Sequence, residues 1–334
     1  MRPILRNGGL LATALAAAVP VAAQHQATTL ADGVDRAAVV VVATVTATTD
    51  PSPEWHRLQL RTDETLKGQP GAEFALLEPA GACCGRALFA LRPGNRCLLL
   101  LLRTGATLHP LGGSRGVVEP TPELLGHVRA LLGSNGVQRT ALLAASLTHP
   151  EPRIALDAAH ALAGSPTLAL TGAAAAEVGT ALQRAVRRRL TSAVDLTAIA
   201  VRSGDPQLLD TALALYVSTA DRGQQRLLSA GLARAEPARL TARLAGHLAG
   251  GDPTAELRAA ELLRLLPDGD GLPALGALLA RTSSPRVQLA AAEALIAAGA
   301  SPRELGANVP AVVLDLARRR VRARSFRAVD PTPR

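Results

Sequence analysis

The sequence predicts a multidomain α and β protein: a small N-terminal antiparallel β-barrel or sandwich followed by an α-α solenoid. Three observations carry that expectation. Residues 285–299 read as one alanine-rich helix with so few polar positions that its apolar surface wraps most of the way round. The pattern returns at Pro253 and at Pro152. Far upstream, a β-branched run over 38–48 and an alternating run over 54–66 read as strands.

The chain begins with Arg2 and Arg6, an apolar run from Leu10 to Val21, and Val21-Ala22-Ala23 ahead of Gln24. A basic start, a short apolar stretch and small residues at the minus-three and minus-one positions describe a secretory signal peptide over 1–23, cleaved after Ala23. The run is too short for a comfortable membrane span, and no later segment approaches ~20 apolar residues without charges. The mature chain is therefore expected to be secreted or periplasmic, with no transmembrane segment. Losing Arg2 and Arg6 lowers the formal charge from +9 to +7. That moderate basic excess favours acidic partners and says little about fold.

Residues 24–120 read as the small β domain. A short helix-compatible stretch over 29–37 precedes the strand over 38–48. In the second strand Leu58 and Leu60 share one face, with Arg57, Gln59 and Arg61 on the other. Lys67-Gly68-Gln69-Pro70-Gly71 is a turn cluster leading to a third strand over 73–78. Arg92-Pro93-Gly94-Asn95 suits a type II turn, which predicts a hairpin between 86–91 and 96–102. Five or so short strands without a long helix suggest the barrel or sandwich.

An apolar strand, a Trp55-containing strand ending in Leu66-Lys67-Gly68, then Cys84, Phe89, Gly94 and Cys97-Leu98 resemble bacterial members of the netrin and tissue-inhibitor-of-metalloprotease family. The resemblance covers roughly 30–105 and implies an OB-like barrel. The family's animal inhibitors chelate the protease metal through a cysteine at the mature N-terminus. Gln24 stands there in this chain, so that activity is not carried over.

Cys83, Cys84 and Cys97 are an odd number for an exported chain. A Cys84 to Cys97 bridge, a vicinal Cys83 to Cys84 bond and unpaired thiols stay open as alternatives. If the hairpin closes as expected, Cys97 faces Ala90, and the first bridge then requires Cys84 in a loop folded back. These thiols with His56 or His109 are weak metal candidates because adjacent cysteines lack the usual zinc-ligand spacing. Gly112-Gly113-Ser114-Arg115-Gly116 matches the G-x-S-x-G of hydrolases, but extended chain and Pro120 follow it where a helix is needed. No catalytic residue and no cofactor is implied.

From Pro122 onward the sequence reads as helices to about 329, with 330–334 a disordered tail. Thr121-Pro122-Glu123 opens a helix that Gly133 ends. A second helix spans 140–147 and a third 153–163. Later starts fall at Asp205-Pro206, Asp252-Pro253, Gly271 and Ser284-Pro285. Ser284 is positioned to cap, Pro285 suits the first helical position, and Gly299 suits a left-handed end. The motif prolines Pro152, Pro206, Pro253 and Pro285 lie 54, 47 and 32 residues apart. This part resembles HEAT and related lyase-type repeats, best at Pro285-Arg286-Val287 with Ala290-Ala291-Ala292-Glu293-Ala294-Leu295. The resemblance implies about five repeats over 138–300 and an inner surface formed by the second helices.

That surface is expected to expose Arg153, Asp157, His160, Gln207, Asp210, Glu256, Arg258, Glu261 and Arg286 toward a protein partner of unidentified kind. Two arginine clusters are candidates for an anionic surface: Arg184, Arg187, Arg188 and Arg189, and the tail Arg318, Arg319, Arg320, Arg322, Arg324 and Arg327. Export and the scarcity of aromatic residues argue against nucleic acid. The expected function is that of an exported non-enzymatic scaffold or protein-binding protein. The alternative is a metal- or thiol-dependent activity centred on the β-domain cysteines.

Overall fold

The computed structural model describes residues 29–53, 55–79, 91–165, 168, 170–249, 251–266, 271–305 and 309–327. The expected signal peptide, Cys83 and Cys84, most of the strand expected over 86–91, and the 330–334 tail lie outside the described residues. The described chain divides into two compact units: 33–120, and 121 onward together with 29–32.

The first unit is an antiparallel sheet of six strands: β1 (Val39–Ser52), β2 (Trp55–Lys67), β3 (Glu73–Pro79), β4 (Arg96–Thr104), β5 (Thr107–Pro110) and β6 (Val117–Val118). Their order is β3-β2-β1-β4-β5, with β6 also on β4. Places on the edge strands β3 and β5 come within 8 Å at Cα, but among the described residues no ladder joins them. The sheet is curled and not closed. Val39, Val41, Ala43 and Val45 form one core with Leu58, Leu60, Leu99 and Leu101. On the opposite face Val40, Val42, Leu98 and Leu100 are equally buried. Cover on both faces is why the start of β1 reads as a continuous apolar run, whereas β2, buried only at Leu58 and Leu60, alternates.

The Pro93-Gly94 turn forms, with Gly94 at φ +89° and Asn95 N donating to Arg92 O at 2.9 Å. Of the partner strand expected across it, 86–91, only Leu91 is among the described residues. β4 has β1 along one edge and β5 and β6 along the other from Leu98 onward, so Cys97 lies opposite Ala43. The five consecutive buried residues 97–101 need a neighbour that is apolar on both faces, and β1 supplies it. The helix α1 (Leu30–Arg36) precedes β1. Lys67, the only lysine in the sequence, donates Nζ to Val34 O at 2.8 Å and Asp35 O at 3.0 Å, placing a cation at the negative end of α1. Gly68 follows at φ +73°, where a Cβ would stand 2.2 Å from Ala38 O. Only glycine fits there.

The second unit is helical. It comprises α2 (Pro122–Leu132), α3 (Gly136–Ser146), α4 (Pro152–Gly164), α5 (Gly172–Arg187), α6 (Ala193–Arg202) and α7 (Pro206–Ser218). It continues with α8 (Arg222–Leu232), α9 (Pro237–Ala249), α10 (Pro253–Leu263), α11 (Leu272–Arg281), α12 (Pro285–Ala297) and α13 (Ala311–Arg327). Thr121, Asp205 and Asp252 cap the helices they precede. Ser284 makes no cap bond. Gln288 in the first turns of α12 donates Nε2 to Thr282 O at 3.0 Å. Gly299, at φ +96°, closes α12 as expected, with Ala300 N donating to Leu295 O at 3.0 Å. α3 begins four residues before the expected start, because Gly136 at φ +43° resembles a loop residue yet opens the helix.

Successive helices pack in five pairs from α3–α4 to α11–α12, and most also pack on the next helix but one. α3, α5, α7, α10 and α12 follow one another in one row; α4, α6 and α8 follow one another in a second, while α9 packs with α10 and α11. This corrects the single surface expected of the motif helices. The motif helix α4 belongs to the row opposite α7, α10 and α12, because two helices, α8 and α9, intervene between neighbours α7 and α10. α12 touches α10, α11 and α13, as its nearly all-round apolar surface requires.

α6 and α8 approach closely at Gly231. A Cβ on Gly231 would stand 2.5 Å from Thr197 Cβ and 2.7 Å from its Cγ2. Gly231→Ala is therefore expected to cost about 1–3 kcal/mol by overpacking. Gly126 in α2 has nothing within 4 Å, so Gly126→Ala is expected to gain about 0.5–1 kcal/mol from helix propensity. Urea unfolding midpoints of the two variants check the opposite signs.

Candidate functional site

Among the described residues of the helical unit, a groove of about 290 Å³ lies between α4, α5 and the start of α6. Pro152, Ala155, Leu156 and Ala159 line one side, a spacing that places all four on one face of α4. Glu151 caps α4, with Oε1 accepting from Arg153 N at 3.2 Å, and His149 Nδ1 accepts from Glu151 N at 3.0 Å. These bonds hold the entry to α4 rigid and place His149 on the groove wall.

The opposite wall is the end of α5. Arg184 donates Nη1 to Thr148 O at 3.0 Å, pinning α5 to the loop before α4. α5 ends in a left-handed residue, Arg189 at φ +57°, with Leu190 N donating to Ala185 O at 2.9 Å. Among the described residues Arg189 alone combines a side chain with positive φ, a strained choice where glycine is usual. The turn brings Leu190, Thr191 and Ser192 to the groove. Leu156 is 49% exposed and Leu190 is 44% exposed, so both are reachable from solvent.

The other expected surface residues are mostly engaged. Arg153 pairs with Asp157 at 3.4 Å, and burial pushes the Asp157 carboxyl up while Arg153 opposes it. His160 Nδ1 meets Asp195 at 3.4 Å. Asp210 pairs with Arg243 and Arg258 with Glu261, each at 2.9 Å. Gln207 and Arg286 are exposed. Glu256 is not on the surface. It is 7% exposed, accepts from Thr282 Oγ1 at 3.0 Å and faces Arg281 at 3.7 Å, because α10 turns that position inward toward the start of α12. The structure thus gathers Arg153, Asp157 and His160 with Asp195, and distributes the others along the opposite row.

The arginine clusters are partly committed as well. Arg189 pairs with Asp221 at 3.2 Å. Arg320 reaches the buried Glu293 at 3.0 Å, and Arg319 pairs with Asp315 at 2.9 Å. Arg187, Arg188, Arg318 and Arg322 are exposed. The side chains of Arg324 and Arg327 lie outside the described residues.

In the β unit Cys97 is a free, buried thiol 3.6 Å from Ala43 O, so it is not bridged to Cys84. Burial, helped by Asp63, pushes it up to about 11, which keeps it protonated and unreactive. Ser114 sits exposed in a 3-10 turn followed by the two-residue strand β6, without the helix a nucleophile elbow requires. Among the described residues no three His, Cys, Asp or Glu side chains are grouped to hold a metal ion. Among them, too, no helix is long and apolar enough to cross a membrane. Sequence reasoning missed Leu156 and Leu190 as site residues. The available signal was that α4 carries Leu156 off its buried stripe of Ile154, Ala158 and Leu162.

No protein-family model, curated protein or solved structure matches the chain.

Two measurements test this electrostatic picture. His127 on α2 is buried and lowered to about 4, first by burial and second by His149. Its neutral form is the one that fits, so its contribution to stability is whole above about 6.5 and is lost as pH falls toward 4. His127→Leu is expected to flatten the acid limb of the melting temperature between those values. Arg320→Ala, which leaves Glu293 with Arg264 at 4.0 Å, is expected to cost about 1–2 kcal/mol. Arg319→Ala, whose exposed ion pair contributes little, should stay within about 0.5 kcal/mol by thermal unfolding.

Proposed function

We propose that this chain is an exported, non-enzymatic protein-binding scaffold. In this reading the helical unit is a HEAT-like α-solenoid, the curled sheet is an OB-like barrel of the netrin type, and residues 1–23 direct the chain to the periplasm or outside the cell. The observation that carries the reading is the packing of α3 to α12 in five successive pairs, with most helices also on the next but one. Such an array buries its apolar surface between neighbours and leaves long rows of helix faces for a partner. The approach of β3 to β5 supports the barrel. The titratable groups that depart from their ordinary range support a structural role. Cys97 and Tyr216 are displaced upward mainly by burial, and Tyr216 donates to Arg258 O at 3.2 Å as a strut between α7 and α10.

The test is capture from an envelope fraction with the chain beginning at Gln24, followed by hydrogen–deuterium exchange on the recovered complex. Protection of surface turns on α3 to α12 by a stoichiometric protein is expected. Protection confined to the β unit, or recovery of the native protein uncleaved from the cytosol, would defeat the proposal.

A further inference from the structure

We infer that the groove between α4, α5 and the start of α6 is a peptide site. Its occupant is an extended segment of a partner protein that places a leucine- or phenylalanine-sized side chain beside an aspartate or glutamate. The inference rests on the protein-binding reading and specifies the chemistry the partner must bring.

Size limits the occupant first. The cavity is about 290 Å³. Ligand pockets span about 300–1,000 Å³, and an apolar cavity of ~150 Å³ already holds a benzene-sized group. This groove therefore has room for one large apolar side chain together with the acid beside it. Its walls match that content, since Pro150 and Pro152 at the entry to α4 and alanines on α4 and α5 give a smooth lining, and Leu156 and Leu190 stand half-exposed at its edge. Scattered surface leucines need no explanation, but two on one cavity form an apolar patch with a depression in it.

Charge then selects among apolar occupants. Arg184, in the last turn of α5, and Arg188, the residue that caps it, both line the cavity, with His149 beside them, and no aspartate or glutamate does. Arg188 has no acidic partner within ion-pair distance among the described residues, whereas its neighbour Arg189 is paired with Asp221. Position at the end of α5 explains why arginines are tolerated there. It does not explain why their side chains border an apolar cavity devoid of acids. Arg184 is held by Thr148 O, so its guanidinium is already oriented, which lowers the ordering cost of binding. The hydroxyls of Thr191 and Ser192 add donors on the same wall, and Ser192 precedes α6 without a side-chain cap bond. An apolar floor with cations and hydroxyls on one wall fits a carboxylate next to a bulky apolar side chain.

The strained turn contributes to the same arrangement. A glycine at position 189 would relieve the backbone. The arginine present pairs instead with Asp221, the cap of α8.

The experiment uses the chain beginning at Gln24 and immobilised short peptides. One set carries a single Leu or Phe and a single internal Asp or Glu at varied spacing. A second set has Lys in place of the acid, and a third offers only a free C-terminal carboxylate. Sodium laurate serves as a soluble competitor. The first set is expected to bind at least about tenfold better than the second. Leu156→Arg should lose about tenfold, and Arg188→Glu should turn the preference toward the Lys set. Both positions are exposed, so unchanged melting temperatures will show that the variants fold. Equal binding of acidic and basic sets, no binding at all, or binding of the C-terminal set alone would overturn the inference. So would displacement of the peptides by laurate at equal concentration, or an Arg188→Glu variant with unchanged preference. A captured envelope partner that still binds Arg188→Glu at full strength would remove the groove and leave the scaffold standing. Failure to capture any partner would remove the scaffold itself.

Discussion

Alanine-rich helices of 10 to 17 residues cannot hold themselves together, and everything in the second unit follows from that. Isolated helices of this length are marginal in water, and small side chains give little apolar area to any single contact. The remedy is proximity. Ala158, Ala159, Ala181 and Ala185 are all buried, and at Gly231 even a methyl group would not fit against Thr197. Small side chains let helix axes approach, and close approach supplies many weak dispersion contacts in place of a few large ones. The same economy fixes the fold's weakness, because the tightest seams cannot absorb an added carbon.

Polar groups in such an array have to satisfy one another across helices. Glu256 accepts from Thr282, and Gln288 donates to the carbonyl of that same residue, so α10, the end of α11 and α12 meet in one small network. Glu293 does the same between α12 and α13 through Arg320. A buried carboxylate left unpaired would cost far more than a surface ion pair returns. These carboxylates therefore act as locators that fix which helix lies against which. Arginines that appear in the sequence as a free basic tail are, in part, the other halves of these locators.

The legibility of the chain follows the range of the interaction concerned. Helix starts at Pro122, Pro206 and Pro253 were readable because capping and the first-turn proline are local, and strands β1 to β3 were readable because alternation and β-branching are local as well. Ser284 looked identical to those caps, yet its side chain makes no cap bond. Glu256 resembled a surface acid because its helix is charged at neighbouring positions, and only the arrival of Thr282 and Arg281 makes burial tolerable. The exchange of rows at α8 and α9 was invisible for the same reason. A short turn can open either side of an array, and contacts some fifty residues away decide which. The groove lay beyond sequence reasoning altogether, since its walls come from three helices and its cationic edge was legible only as a cluster on one.

The Leu66-Lys67-Gly68 segment shows how a motif can signal fold without signalling activity. Lys67 is needed where α1 ends, because two carbonyls there point at its ammonium. Gly68 is needed one residue later, because the chain leaves β2 under the carbonyl of Ala38. Any chain that runs a short helix into a central strand and returns along its neighbour meets these two demands together. The pair will therefore recur wherever that connection recurs, whatever the protein binds. Specific recognition has to be sought where local demands are not met by the neighbours. Among the described residues the arginine-edged groove is such a place, where Leu156 and Leu190 stay half-exposed and no aspartate or glutamate lines the wall that Arg184 and Arg188 share.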